Sequence, residues 1–283
     1  MNISASDVLI FAEDPGAANF VADLPDAFMK QNFSVNLFAD GLARKFLRKR
    51  NKTFISIDDT CDVVKLIECS APKVVLVGTG SNNKTLSLSL IEESRNKKII
   101  SIAVIDAAMS SKSRFSGTTQ DPMKYAPDWL MVPTEMIRDT YVEQGYREER
   151  VIVTGNPQYD YVKLYAEEHK SQHLEIRKKL FPHVELDRKI LVFVAEGSAR
   201  LKRYSVNEMA EFSLKGRGKA TGMTEIVIEE LMEALDNELS RPYLVLRLHP
   251  KDNDKDYSEY LHEFDEINDS DNYLELLSAS SLV

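Results

Sequence analysis

What constrains this chain most is a repeated alternation. Short apolar runs bounded by turn residues are each followed by a longer segment of helical period. Apolar runs of this length are strands buried on both faces, and parallel strands of that kind need a crossover helix between them. The pattern therefore specifies βαβ units and a parallel α/β sheet. The first unit is DVLIFAE at Asp7–Glu13, then the loop DPGAAN, then Phe20–Gln31, where Phe20, Val21, Leu24, Ala27 and Phe28 recur at helical spacing. Further strands are expected at Ser34–Ala39, Lys73–Gly78, Ile99–Asp106, Trp129–Pro133 and Val151–Thr154, with helices near Gly41–Arg50, Cys61–Ser70 and Thr85–Asn96. All of these fit one doubly wound sheet.

After Val151–Thr154 the chain runs through GNPQYDYV into a long polar helix, Tyr159 to about Leu180, and strand signals restart at Ile190–Ala195. A helix at Met223–Leu239 and a strand at Tyr243–Leu248 follow. A length of 283 residues suits two domains, placed at 1–181 and 188–283 with the junction at Phe181–Arg188. Arg200–Ala220 is basic without clear period and reads as a loop or short helix. Asp252–Asp271, with nine acids against one Lys, reads as a solvated surface. Asn272–Val283 reads as a helix leading into a strand. The second lobe would then hold about three strands where a doubly wound lobe has five or more, so it is expected to be truncated or unusually small.

A formal charge of −9 offers no electrostatic reason to approach nucleic acid or anionic lipid as a whole, so any phosphate site must be local. No apolar run approaches the roughly 18–20 residues that span a bilayer. Met1–Asp7 lacks the basic stretch and apolar core of a secretory signal. Cys61 and Cys69, expected on one helix, show no metal-type spacing. Together these point to a cytoplasmic protein in a reducing compartment, with peripheral membrane association and a homo-oligomer both left open.

Candidate site residues sit at strand ends, where ligands of open α/β sheets collect. After the first strand, Gly16 lets the backbone approach a ligand and Asn19 lies in the same loop. Asp14 is either a general base beside a sugar hydroxyl or a helix cap. Asp106 and Arg114, in SIAVIDAAMSSKSRF, follow another strand of that sheet; the alternative is a turn cap and a surface Arg. GNPQYD, with its Asn156–Pro157 turn, reads better as a hinge cap than as a site. In the second lobe Glu196, Gly197 and Ser198 follow its first strand, with Arg200, Lys202 and Arg203 close behind. Backbone amides and cations there would cradle a diphosphate, Glu196 would serve as an acid or ribose ligand, and a solvated basic loop is the rival reading. Arg247 and His249, in RLHPK, end a strand and suit phosphate better than a polar edge.

EDPGAANF, SIAVID with RF, YAPDWLMVPTE through RVIVTGNPQYD, ILVFVAEGS and LRLHPK, in this order and over most of the chain, resemble the glycosyltransferase-B superfamily. The nearest branch is that of capsule and surface-polysaccharide proteins, CDP-glycerol glycerophosphotransferases and UDP-N-acetylglucosamine 2-epimerases. The resemblance implies an α/β fold of two Rossmann-like lobes, an acceptor lobe and a nucleotide-sugar lobe with a cleft between them, and no metal or other cofactor. By motif, Gly197 and Ser198 would lie by the diphosphate, Arg247 and His249 would neutralise it, and Asp14 or Asp106 would be the base. The function expected first is a transferase that moves a nucleotide-activated sugar or polyol to a glycan or lipid-linked acceptor in polysaccharide biosynthesis. A UDP-sugar 2-epimerase and a non-catalytic nucleotide-sugar-binding protein are the alternatives.

Overall fold

The computed structural model describes residues 3–80, 82–108, 110–196, 214, 216–218, 220, 222–236, 238–250, 252, 254–268 and 272–283. They divide into two compact units, Met1–Tyr161 and Val162–Val283.

In the first unit seven strands form one parallel sheet: β1 (Val8–Ala12), β2 (Val35–Ala39), β3 (Ile55–Ser56), β4 (Val74–Gly78), β5 (Ile100–Val104), β6 (Trp129–Val132) and β7 (Val151–Val153). Their order is β3-β2-β1-β4-β5-β6-β7. Strands after β1 step one way and strands from β4 onward step the other, so the switch point lies between β1 and β4. β1 is buried on both faces, and its alternate side chains divide between two cores. Leu9 and Phe11 pack with Phe38, Val75, Val77 and Ile91, while Val8, Ile10 and Ala12 pack with Ala17, Phe20, Leu37 and Leu47. Each large side chain so buried contributes about 1.5–3 kcal/mol, which is why this central strand organises the unit.

The sheet is covered by α1 (Pro15–Val21), α2 (Leu24–Lys30), α3 (Ala43–Lys49), α4 (Val63–Ser70), α5 (Leu86–Lys97) and α6 (Glu135–Glu143). Asp62, Thr85 and Thr134 start α4, α5 and α6 by accepting from Lys65 N, Ser87 N and Ile137 N. The expected loop DPGAAN is mostly helix instead. Pro15 occupies the first turn of α1, and Pro25 the first turn of α2, where a missing N–H costs nothing. The single helix expected at Phe20–Gln31 is accordingly two.

The polar segment after β7 also breaks, into α7 (Pro157–His169), a short 3₁₀ turn and α8 (His173–Leu180). The division between units falls inside α7, ahead of the expected junction at Phe181–Arg188. Packing explains the difference. Ile176, Phe181 and Val184 are buried against Ile190, Val192, Tyr243 and Leu276, so α8 and its following turn belong to the second core.

The second unit carries β8 (Ile190–Val194), α9 (Met223–Leu235), β9 (Tyr243–Arg247), β10 (Glu266–Asn268) and α10 (Tyr273–Ala279). Its parallel sheet runs β10-β9-β8. On the free side of β8, Leu282 bridges Leu191 in parallel, so the same reversal of strand order begins there. The Asp252–Asp271 stretch is not simply solvated surface. Tyr257 and Phe264 turn into the core beside Leu244 and Leu246, and β10 lies within the stretch, because its aromatics interleave with the acids. Among the described residues no helix is long and apolar enough to cross a membrane.

Candidate functional site

The turns that follow β1, β4 and β5 meet at the switch point, and glycine makes their approach possible. Asp14 stands at the N-cap of α1, with its carbonyl accepting from Ala18 N at 2.9 Å, but its carboxylate makes no capping bond. Instead Oδ2 lies over Gly80, where an added Cβ would sit 1.7 Å away. Asp106, just beyond β5, lies over Gly16 in the same manner, with Oδ2 at 1.8 Å from an added Cβ. Gly78, the last residue of β4, admits Ala17 of α1, since a Cβ there would meet the Ala17 methyl at 2.5 Å. Each of these positions needs glycine for space, not for backbone conformation.

Arg114 is the anchor of this cluster. Its side chain is 5% exposed, so the surface reading of this residue is wrong. Nη1 donates to Asp106 Oδ1 at 2.9 Å, to Thr79 Oγ1 at 2.9 Å and to the Thr79 carbonyl at 3.2 Å; Nη2 donates to the Ala107 carbonyl at 3.1 Å. Thr79 in turn donates its hydroxyl to the Val104 carbonyl at 2.9 Å. A guanidinium removed from water needs a charged partner and well-aimed acceptors, and this one has both. The Asp106 side chain remains 25% exposed, so one face of the pair stays open to a ligand.

Glu13 and Thr85, which the sequence did not single out, close the neighbouring side. Glu13 accepts from Asn82 Nδ2 at 3.0 Å and from the Thr85 hydroxyl. They border a pocket of about 340 Å³, also lined by Asp40, Lys84, Glu92 and Tyr125. Asn19 lies at the far end of α1, where its carbonyl accepts from Arg50 Nη1 at 3.2 Å. Arg50 also pairs with Asp23, donates to Gln158 Oε1 at 3.1 Å and stacks on Tyr161 at 3.9 Å. The Asn156 side chain accepts from Gln158 N at 3.0 Å, so GNPQYD does start α7 as a cap.

In the second unit Glu196 and Arg247 end adjacent strands. The exposed Glu196 follows β8, and its carbonyl accepts from Thr224 Oγ1 at 3.0 Å and the Tyr257 hydroxyl at 3.1 Å. Arg247 closes β9, with Nη1 on Asn268 Oδ1 at 3.3 Å and on the Asn268 carbonyl at 3.2 Å. Half-buried His249 follows, and its carbonyl accepts from Asp252 N at 2.9 Å. Burial, with the Asp252 carboxylate 2.9 Å from the hydroxyl, pushes the Tyr257 phenol up and keeps it a donor. Gly197 and Ser198 lie outside the described residues. The structure thus brings Asp14, Gly16, Asp106 and Arg114 into one cluster of the first unit, and sets Glu196, Arg247 and His249 at strand ends of the second. Asn19 contributes its backbone to a different cluster, around Arg50.

No protein-family model and no curated protein matches the sequence. Solved structures do resemble it in fold. The UDP-GlcNAc 2-epimerase of Neisseria meningitidis, bound to UDP-GlcNAc, matches at a TM-score of 0.68 and 17% identity, over 96% of this chain and 74% of the other. That of Methanocaldococcus jannaschii, in complex with UDP-GlcNAc and UDP, matches at 0.62 and 17%, over 95% and 75%. Anabaena HepE, in complex with UDP and glucose, matches at 0.61 and 12%, over 97% and 72%. The likeness reaches through both sheets, and with the strand orders above it gives this chain a glycosyltransferase-B-like fold of two Rossmann-like, parallel-sheet units.

Proposed function

We propose that the chain binds a UDP-sugar and inverts it at C2, the carbon next to the anomeric centre. One observation carries this choice over sugar transfer. Two strand-end carboxylates, Asp14 and Asp106, flank the first turn of α1, each seated on a glycine, and the Asp14 side chain does not cap the helix it precedes. A transferase needs one base, for an acceptor hydroxyl. Epimerisation at carbon removes a proton from one face and returns one to the other, which suits two acid–base groups. The fold's likeness to epimerases solved with UDP-GlcNAc favours the same reading.

In this mechanism one carboxylate takes the C2 proton. The electron pair left at C2 forms a double bond to C1 as the C1–oxygen bond to the diphosphate breaks. Re-addition of UDP at C1, with proton delivery to the opposite face of C2, completes the inversion. Arg114 holds Asp106 in register, so that its free oxygen stays aimed while its charge changes. Arg247 and His249 would stabilise the negative charge growing on the departing diphosphate, with the backbone at Gly197 and Ser198 assisting, and Glu196 would take the ribose.

The test is UDP-GlcNAc in D₂O, followed by NMR. The expected result is deuterium at C2 together with a new 2-epimer, both slowed about 100-fold or more by Asp14→Asn or Asp106→Asn. UDP release only when a sugar acceptor is added, without C2 exchange, would establish a transferase instead. Binding of UDP with neither reaction would leave a binding protein.

A further inference from the structure

Tyr141 is the buried polar group that the mechanism above leaves without a task. It lies on α6, is 0% exposed, and packs among Phe115, Leu130, Val132 and Ile137. Among the described residues its hydroxyl has no hydrogen-bond partner. Phenylalanine would fill the same space without an oxygen stripped of water, so the fold alone does not explain the residue. Tyr146, on the turn just after α6, shows the ordinary arrangement, since its hydroxyl donates to the Pro127 carbonyl.

The surroundings tie this side chain to the loop of the Asp106–Arg114 pair. The Tyr141 ring lies 6.1 Å from that of Phe115, the residue next to Arg114. One turn along, Gln144 Nε2 donates to Ser111 Oγ at 2.9 Å, so this face of α6 supports the loop that carries the Asp106–Arg114 pair. Burial pushes the Tyr141 phenol up to about 12, with Arg114 acting against that rise and Asp106 adding to it, so the hydroxyl sits in the field of the pair.

We propose that Tyr141 is a positioning residue whose hydroxyl becomes a hydrogen-bond acceptor for the Arg114 guanidinium when Asp106 takes up a proton. The proposal rests on the reading of Asp106 as an acid–base group. When the carboxylate is neutralised, the buried guanidinium loses its charge partner, and a phenol oxygen already in its field offers a replacement that needs no water. The oxygen is idle in the charged state because it serves the other one.

A melting-temperature cycle tests this without any assay of turnover. Tyr141→Phe should raise the melting temperature of the unmodified protein by about 2–4 °C, since it removes an unpartnered oxygen. In an Asp106→Asn background, which mimics the protonated carboxyl, the same substitution should lower it. A change of the same sign in both backgrounds would overturn the proposal. Asp106→Ser removes the charge equally well should the Asn variant fail to fold. With UDP-GlcNAc, Tyr141→Phe should lower kcat about tenfold and leave KM unchanged; equal turnover would also overturn it. If the unmodified protein turns over no UDP-sugar, the epimerase reading fails, yet the melting cycle still decides the role of Tyr141.

Discussion

Gly16→Ala probes the switch point directly. The new methyl would stand 1.8 Å from Asp106 Oδ2 and 2.9 Å from its Cγ. Carbon and oxygen need a little over ~3 Å, so the carboxylate must retreat by more than ~1 Å. A retreat of that size takes Oδ1 out of reach of Arg114 Nη1, now at 2.9 Å. A hydrogen bond between charged groups is worth about 1.5–3 kcal/mol, and the 25% exposure of Asp106 places this one toward the lower end. Against the loss stands the gain of replacing glycine in a helix, at most about 1 kcal/mol. The net expectation is a destabilisation of about 0.5–2 kcal/mol, read by chemical denaturation, with C2 exchange lost at the same time because Asp106 is no longer aimed.

The control removes the obstacle. In Asp106→Ala the nearest remaining atom to the new methyl is the former Asp106 Cβ, at an ordinary contact of 3.5 Å. Gly16→Ala should then stabilise rather than destabilise. If it costs the same in both backgrounds, the carboxylate is not what glycine accommodates, and the argument for a seated Asp106 fails.

Two other perturbations test clusters at either end of the chain. Arg50→Met should cost about 1–3 kcal/mol, reduced from the figure for a fully buried pair because the Asp23 side chain is 42% exposed. Burial alone would push the Asp23 carboxyl up, but Lys52 and Arg50 outweigh it and hold the group below its ordinary 3.8. The stabilisation it brings is therefore present above that value and lost as pH falls through the lowered one, and the gap in melting temperature between variant and unmodified protein should narrow below about pH 4. A gap unchanged from pH 7 to pH 3 would refute this. Arg247→Ala should weaken UDP binding roughly 10–150-fold by calorimetry, the range for a lost charge-assisted bond; an unchanged affinity would leave Arg247 as the structural partner of Asn268.

Much of the fold is legible because a strand buried on both faces reads as a continuous apolar run, as VLIFA and VVLVG do, and ISIAV and YLVLR depart from it by one polar residue each. The elements that escape notice lack that signature. β3 contributes two residues at a sheet edge, and β10 is Glu-Ile-Asn inside an acidic stretch, held by pairing with β9 rather than by apolar content of its own. The unit boundary escapes for a similar reason: α8 reads as a polar helix, and only its packing shows that Ile176 and Phe181 serve the second core.

The candidate site divides along the same line. Asp14 and Asp106 are legible because each lies two residues beyond the carboxyl end of a strand, and strand ends collect ligands whatever the order of the sheet. Their supports depend on that order. Along the chain β1 leads to β2, yet in the sheet β4 also lies beside it, which sets Gly80 under Asp14, while the pairing of β4 with β5 sets Thr79 against Arg114. Thr79 and Gly80 carry no local signal at all; any small residues at a strand end look alike until the neighbouring strand is known. Arg114 is visible as a cation near an acid, but its burial follows from Phe115 entering the core beside Tyr141, a contact between a loop and a helix far apart in sequence. The chemistry-bearing side chains are thus written locally, and the groups that aim them are written in the crossover.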